Sequence, residues 1–169
     1  MIWAMWPRSP KQPPFPKTAQ CLVTRPNGST PPNEFPNRLQ YGNGALWTDL
    51  WPDGTVLIPP DNVGADGRLF MKWPWWRRER GQPLTIEGRR LDGPAPPLGA
   101  DIPEGYDELY FQATGLIFPT EGCWEVTGRA GDASLTFVVL VLRVEEATPA
   151  AGLPGGSRAD LGVIFGQGA

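Results

Sequence analysis

Between residues 45 and 144 apolar side chains recur at every second position in short runs, the period of half-buried β-strands. In 45–51, Leu46 and Leu50 alternate with Trp47 and Trp51. Pro52-Asp53-Gly54 follows, where proline presets φ and glycine accepts a positive one, and 55–58 returns as Thr-Val-Leu-Ile. The two runs predict a hairpin. Pro59-Pro60 ends it, and Asp66-Gly67 marks the next turn. In 68–73, Leu69, Met71 and Trp73 share one face, and Pro74 is expected to stop that strand. Segment 84–91 sets Leu84 and Ile86 against Thr85 and Glu87, and 109–118 is strand-like with Gly115 as a bulge candidate. The strongest pair is 123–128 and 134–144, joined by residues 129–133. Residues 92–106 read as a Pro/Gly-rich connection.

About seven short strands separated by turn signals predict an all-β fold, a single β-sandwich over residues 41–144, and its last hairpin resembles the closing strands of immunoglobulin-like domains. Residues 1–40 form a Pro-rich N-terminal arm, with proline at 7, 10, 13, 14, 16, 26, 31, 32 and 36. That density favours polyproline II and turns over a ladder. Phe15, Leu22, Val23 and Phe35 are its candidates for docking on a core. Residues 145–169 are an Ala/Pro/Gly-rich tail, expected to be flexible and to bury little apolar area, with only Leu161-Gly162-Val163-Ile164-Phe165 apolar. The apolar start, Met1 to Trp6, is ended by Pro7 and Arg8, too short for a secretory core, so no signal sequence is expected in this chain, and whether Met1 starts the precursor stays open. No apolar run is long enough for a membrane span.

Composition sharpens this picture. Glycine and proline, 21 each, make up a quarter of the 169 residues, which excludes long helices. Eight Trp, seven Phe and three Tyr supply the apolar mass that a disordered chain lacks. Histidine is absent, which removes His-based catalysis and most zinc and haem sites, and no cofactor is expected. A net charge of -3 and a pI near 5.0 exclude nucleic acid as an electrostatic partner. The acidic stretch from Asp61 to Asp66 lacks the alternating ligands of a calcium loop and reads as a plain turn, so no metal site is expected.

Several segments resemble a family of uncharacterised bacterial exported, lipoprotein-like proteins. They are Tyr41-Gly42-Asn43-Gly44-Ala45-Leu46-Trp47, Trp51-Pro52-Asp53-Gly54-Thr55-Val56, Met71-Lys72-Trp73-Pro74-Trp75-Trp76-Arg77, residues 84–91 and the 118–144 block. The resemblance spans about 21–144. It implies an immunoglobulin-like sandwich and an extracytoplasmic location, secreted or in the cell envelope, and it carries no activity.

Candidate chemistry concentrates in Trp73, Trp75 and Trp76, followed by Arg77 and Arg78, then Glu79 and Arg80. Flat aromatic faces beside hydrogen-bonding side chains are what a sugar-binding surface needs, while the same rings are ordinary core material. On an extended strand Trp75 and Trp76 point to opposite faces. No Gly-x-Ser-x-Gly elbow, P-loop or dinucleotide fingerprint occurs. Glu87, Asp101, Glu104, Asp107, Glu108, Glu121 and Glu125 are the acids from which a hydrolase would have to draw a pair. The expected function is therefore non-catalytic, through binding or adhesion, with another envelope protein or a carbohydrate as partner. The alternatives are a carbohydrate-binding module using segment 73–80 and a small hydrolase.

The two cysteines, Cys21 and Cys123, are either free thiols or one disulfide. Cys123, Glu125 and Thr127 share a strand face opposite Trp124 and Val126, so Cys123 points away from the core. A partner in the Pro-rich arm, lying across the sandwich, gives that arm a physical reason to be ordered, and the disulfide is the expectation.

Overall fold

The computed structural model describes residues 20–144, and the expectations for Met1 to Trp6, Phe15 and the tail lie outside them. Within 20–144 the regular structure is nine strands and one 3-10 turn, Pro60–Asn62. The strands are β1 Gln40–Gly42, β2 Leu46–Asp49, β3 Thr55–Ile58, β4 Leu69–Arg77, β5 Leu84–Arg90, β6 Gly99–Asp101, β7 Phe111–Phe118, β8 Gly122–Ala130 and β9 Ala133–Arg143. They form two sheets, β1-β2-β4-β7-β6 and β3-β9-β8-β5. All pairings are antiparallel except β3 with β9.

The inner faces follow the alternation of the sequence. β4 contributes Leu69, Trp73 and Trp75, β7 Leu116 and Phe118, β8 Trp124 and Val126, and β9 Leu135, Phe137, Val139 and Val141, all buried in one cluster. Trp73 lies at its centre, stacked on Phe137 with ring centroids 5.4 Å apart and tilted against Trp51 at 5.1 Å. Its indole N–H donates to the Thr48 hydroxyl (2.8 Å), which donates in turn to the Pro74 carbonyl (2.8 Å). No polar atom of that chain is left without a partner, as a buried network requires.

Two expectations need correction. The turn Pro52-Asp53-Gly54 exists, with Gly54 at φ 73° and its N–H on the Trp51 carbonyl. It does not make a hairpin. It carries the chain from one sheet to the other, and β3 pairs in parallel with β9, Thr55 opposite Leu140. Pro74 does not end its strand either. It sits opposite Ala113 within the β4–β7 ladder, while β2 pairs with β4 only from Trp75 onward. The Pro74 carbonyl faces β2, where it accepts from Thr48, so the missing N–H falls on the side where that ladder stops. The proline interrupts one ladder and leaves the other whole. Strands β1 and β6 were not foreseen. Each is three residues long, too short for a period to register.

Residues 20–24 lie across the outer face of the β3-β9-β8-β5 sheet. Cys21 and Cys123 form a disulfide with Cα atoms 5.5 Å apart. Cys123 belongs to the outward set of β8, as its alternation with Trp124 and Val126 requires. Thr24 then borders β9: its N–H donates to the Val138 carbonyl and its hydroxyl accepts from the Val138 N–H. The same edge of β9 is closed by Tyr41, whose hydroxyl donates to Thr136 O (3.2 Å), and by Asn43, whose amide donates to Ser134 O (2.7 Å). An otherwise open strand edge is thus capped by side chains and arm. Residues 27–37 cover the other sheet. Asn27 borders β1 through Gly42, Ser29 accepts from the Trp47 indole, and buried Gln40 bonds Thr30, Phe35 and Asn37.

At Gly128 the two sheets approach closely. A Cβ there would lie 2.4 Å from the Trp75 ring, whose own face is fixed by Phe137. Gly128→Ala is expected to cost about 1–3 kcal/mol through overpacking, a fall in melting temperature of roughly 5–10 °C. A calorimetric melt within 2 °C of the parent would show that the core has room there.

Candidate functional site

Segment 73–80 runs from the core to one end of the sandwich. Trp73 and Trp75 face inward and are each 1 % exposed; Trp76 faces outward, yet is only 9 % exposed. Its ring is covered by Phe111 at 5.4 Å, and its indole N–H donates to Glu34 (3.1 Å) from the covering segment. The segment therefore holds no open aromatic platform, and the sugar-stacking reading of these rings has no surface to act through. The opposed directions of Trp75 and Trp76 are as the strand period predicts. Phe111 on the ring and Glu34 on the indole N–H occupy the contacts that a ligand over Trp76 would use.

Arg77 ends the inner row of β4 and is 2 % exposed. Its guanidinium donates to the carbonyl of Gln82 and to Oε1 of Gln112. The Gln112 amide nitrogen is spent on Pro103 O (3.1 Å), which turns the amide oxygen toward the arginine. The Arg77 N–H meets Tyr110 O, and the Gly81 N–H meets Asp107 O. The β4–β5 connection and the loop before β7 are thereby tied together. Burial pushes the Arg77 guanidinium below its ordinary value, and the charge of Asp107 partly offsets this. No carboxylate among the described residues lies within ion-pair distance of it.

Beside Arg77 a cavity of about 430 Å³ opens between the β4–β5 connection and the β8–β9 turn. Arg78 lines the cavity with its guanidinium over Trp47 at 5.9 Å, and Arg80 stands over Tyr110 at 5.3 Å. Leu109, Tyr110 and Phe111 are exposed here, with Tyr106 edge-on to Phe111 at 6.3 Å. Arg77 is thus tied to the loop before β7 and Arg78 to Trp47, while Trp76 packs on Phe111 at the same end.

Three of the candidate acids are held by arginines. Glu87 and Glu125 lie on the outer face of their sheet, bridged to Arg129 (3.1 Å) and Arg89 (2.8 Å). Glu121 accepts from the Arg143 N–H, and Asp66 is bridged to Arg68 at 2.5 Å. Asp101 lies on β6, while Glu104, Asp107 and Glu108 belong to the β6–β7 loop. Among the described residues no group of three or more acids or cysteines is placed to hold a metal ion.

One acid outside the sequence expectations is perturbed. Burial raises the Asp49 carboxyl, Glu34 raises it further, and Asp49 Oδ1 is buried without a partner. A raised acid keeps its proton in the folded chain at pH values where the unfolded chain has released it. Stability is therefore lost as pH rises through the folded value. Asp49→Asn is expected to raise the melting temperature at pH 7, with the gain vanishing below about pH 3.5, where the unfolded acid is also protonated. Melting curves at both pH values check the sign.

Gln82, Gln112 and the exposed Tyr110 were missed by motif reading. A glutamine carries no motif, and only the β4–β7 register, Trp75 opposite Gln112, brings it to Arg77. The chain matches no protein-family model, no curated protein and no solved structure.

Proposed function

We propose that this chain is an immunoglobulin-like sandwich that works outside the cytoplasm as a non-catalytic binding or adhesion domain. The strand order supports the fold type. The sequence β2-β4-β7-β6 follows A-B-E-D, β5-β8-β9 follows C-F-G, and β3 lies parallel beside the last strand. Trp124 donates to Thr120 O (3.0 Å), four residues upstream in the corner before β8, where many such domains use a tyrosine. The inter-sheet cystine of antibody domains has no counterpart: Trp73 and Trp124 fill the core, and the disulfide lies outside it.

The Cys21–Cys123 disulfide is the observation that carries the location, because such bonds persist in oxidising compartments. The resemblance over 21–144 points the same way. Exposed Leu109, Tyr110 and Phe111 beside Arg80 give the loop end the composition of a contact surface. Two measurements test the reading. Thiols blocked in intact cells before lysis should leave Cys21 and Cys123 unlabelled; labelling of both overturns the location. Purified protein should co-sediment with envelope fragments of the producing cell, and the double variant Tyr110→Ser/Phe111→Ser about tenfold less, as loss of aromatic anchors predicts. Equal sedimentation, or none, overturns binding through this end.

A further inference from the structure

The sheet β3-β9-β8-β5 ends on β3, and the side of that strand away from β9 is open. The Leu140 N–H donates to Gly54 O and the Val144 N–H to Ile58 O, which sets Gly54, Val56 and Ile58 on the β9 side of the parallel ladder. The N–H and C=O of Leu57 therefore point away from β9 and meet no partner among the described residues. Other edges are bordered: Leu98 donates to Gly88 of β5, and Asn27 bonds Gly42 of β1. The outer face beside the β3 edge is apolar. Leu57 and Leu142, opposite each other in the ladder, are 54 % and 36 % exposed, and Val144 is 43 % exposed. An unpaired edge beside exposed apolar side chains is a template for a further strand. Val144 is also the last described residue, so residues 145–169 leave the sandwich at this edge.

We infer that residues 161–165 of the same chain, Leu161-Gly162-Val163-Ile164-Phe165, add to β3 as the outer strand of this sheet. The edge is short, bounded by Pro52 on one side and Pro59-Pro60 on the other, and the segment is as short, with no proline to break a ladder. The chain leaves β9 beside the end of β3, so its direct return runs antiparallel to β3. With Val163 opposite Leu57, each takes both backbone bonds of the other. Opposite residues of such a pair share a face. Leu161, Val163 and Phe165 then stand on the outer face with Leu57 and Leu142, and Ile164 turns inward. The position lies about 10 Å from β9, within the roughly 20 Å that a chain of the length and composition of 145–160 spans. Residues 145–160 are the tether and need bury nothing. Such a tether gives the segment an effective concentration in the millimolar range, so in dilute solution it outcompetes the same segment of a second copy. The edge is thus closed by the chain itself and withdrawn from strand pairing with its neighbours.

The test is solution NMR of the full chain. The Leu57 amide is expected to exchange its hydrogen about tenfold more slowly in the parent than in a Val163→Asp variant, the scale of one backbone hydrogen bond. The Val139 amide, opposite Trp124 in the β8–β9 ladder, should keep its protection in that variant and so report that it is folded. Methyl NOEs between Leu57 and Val163 are expected in a ¹³C-labelled parent sample, and none between molecules when labelled and unlabelled chains are mixed. The parent NOEs stand whether or not the variant folds. A Leu57 amide that exchanges as fast in the parent as in a folded Val163→Asp chain overturns the inference, as does the absence of Leu57–Val163 NOEs. NOEs found only between molecules overturn it too, and assign the edge to a second copy. None of these results bears on the loop end at Tyr110, so the two readings fail separately.

Discussion

Replacing Cys21 and Cys123 together by alanine is expected to lower the melting temperature by roughly 15 °C. The cross-link closes a loop of about 100 residues, worth around 4–5 kcal/mol in the chain-entropy model, and a domain of this size loses about 3–5 °C per kcal/mol. What stays behind is modest. Thr24 keeps its two bonds to Val138, and Val23 keeps its seat against Gly54, where an added Cβ would lie 2.3 Å away. The double variant leaves no buried lone thiol, so the loss reads the cross-link itself. Reduction of the parent chain should give the same shift. A fall of less than 3 °C would show that the arm is held by its non-covalent contacts.

Trp73→Ala is the most damaging single change expected in the core. The ring touches Phe137, Trp51 and Phe118, with its N–H on Thr48. Truncation leaves a cavity in the middle of both sheets and costs about 4–5 kcal/mol. Trp73→Phe keeps the stack on Phe137 but drops the hydrogen bond, so about 1–2 kcal/mol is expected. Urea midpoints of the two variants separate the terms. An alanine variant within 2 kcal/mol of the parent would mean that Trp51 collapses into the space.

The period-2 runs were enough to place Leu69, Trp73, Trp124 and Val126, whereas the apolar run of β9 does not by itself show which row faces inward. Each of those four residues sits on a strand long enough for alternation to be unambiguous. The outward direction of Cys123 followed from the same rule. Pairing partners were less legible. Pro-Asp-Gly specifies a turn but not whether the next strand stays in the same sheet, and nothing local to 55–58 encodes its neighbour at 140–143. Pro74 misled because a proline's cost depends on which side of the strand its nitrogen faces, a fact of register. The loop-end site was half visible: Arg77 and Arg78 stand in an obvious basic run. Gln112 and Tyr110 are brought to Arg77 only by the β4–β7 ladder and the loop before it, while Gln82 reaches it from the β4–β5 connection.

The parallel pairing of β3 with β9 sets an order on assembly. Val56 and Ile58 are made early, yet their neighbours Val141 and Arg143 belong to the last strand. Contacts of such sequence separation fold slowly, because a long loop must close before it is rewarded. The β8–β9 hairpin, joined through a tight turn at Gly131, is local and free to form first, but the strand it must receive has waited through the whole synthesis of the domain. Cys21 waits likewise, since Cys123 is made 102 residues later. An oxidant acting on the growing chain finds no partner for that thiol until Cys123 has been made. The covalent bond ties the first described residues of the chain to the sheet that the last strand completes.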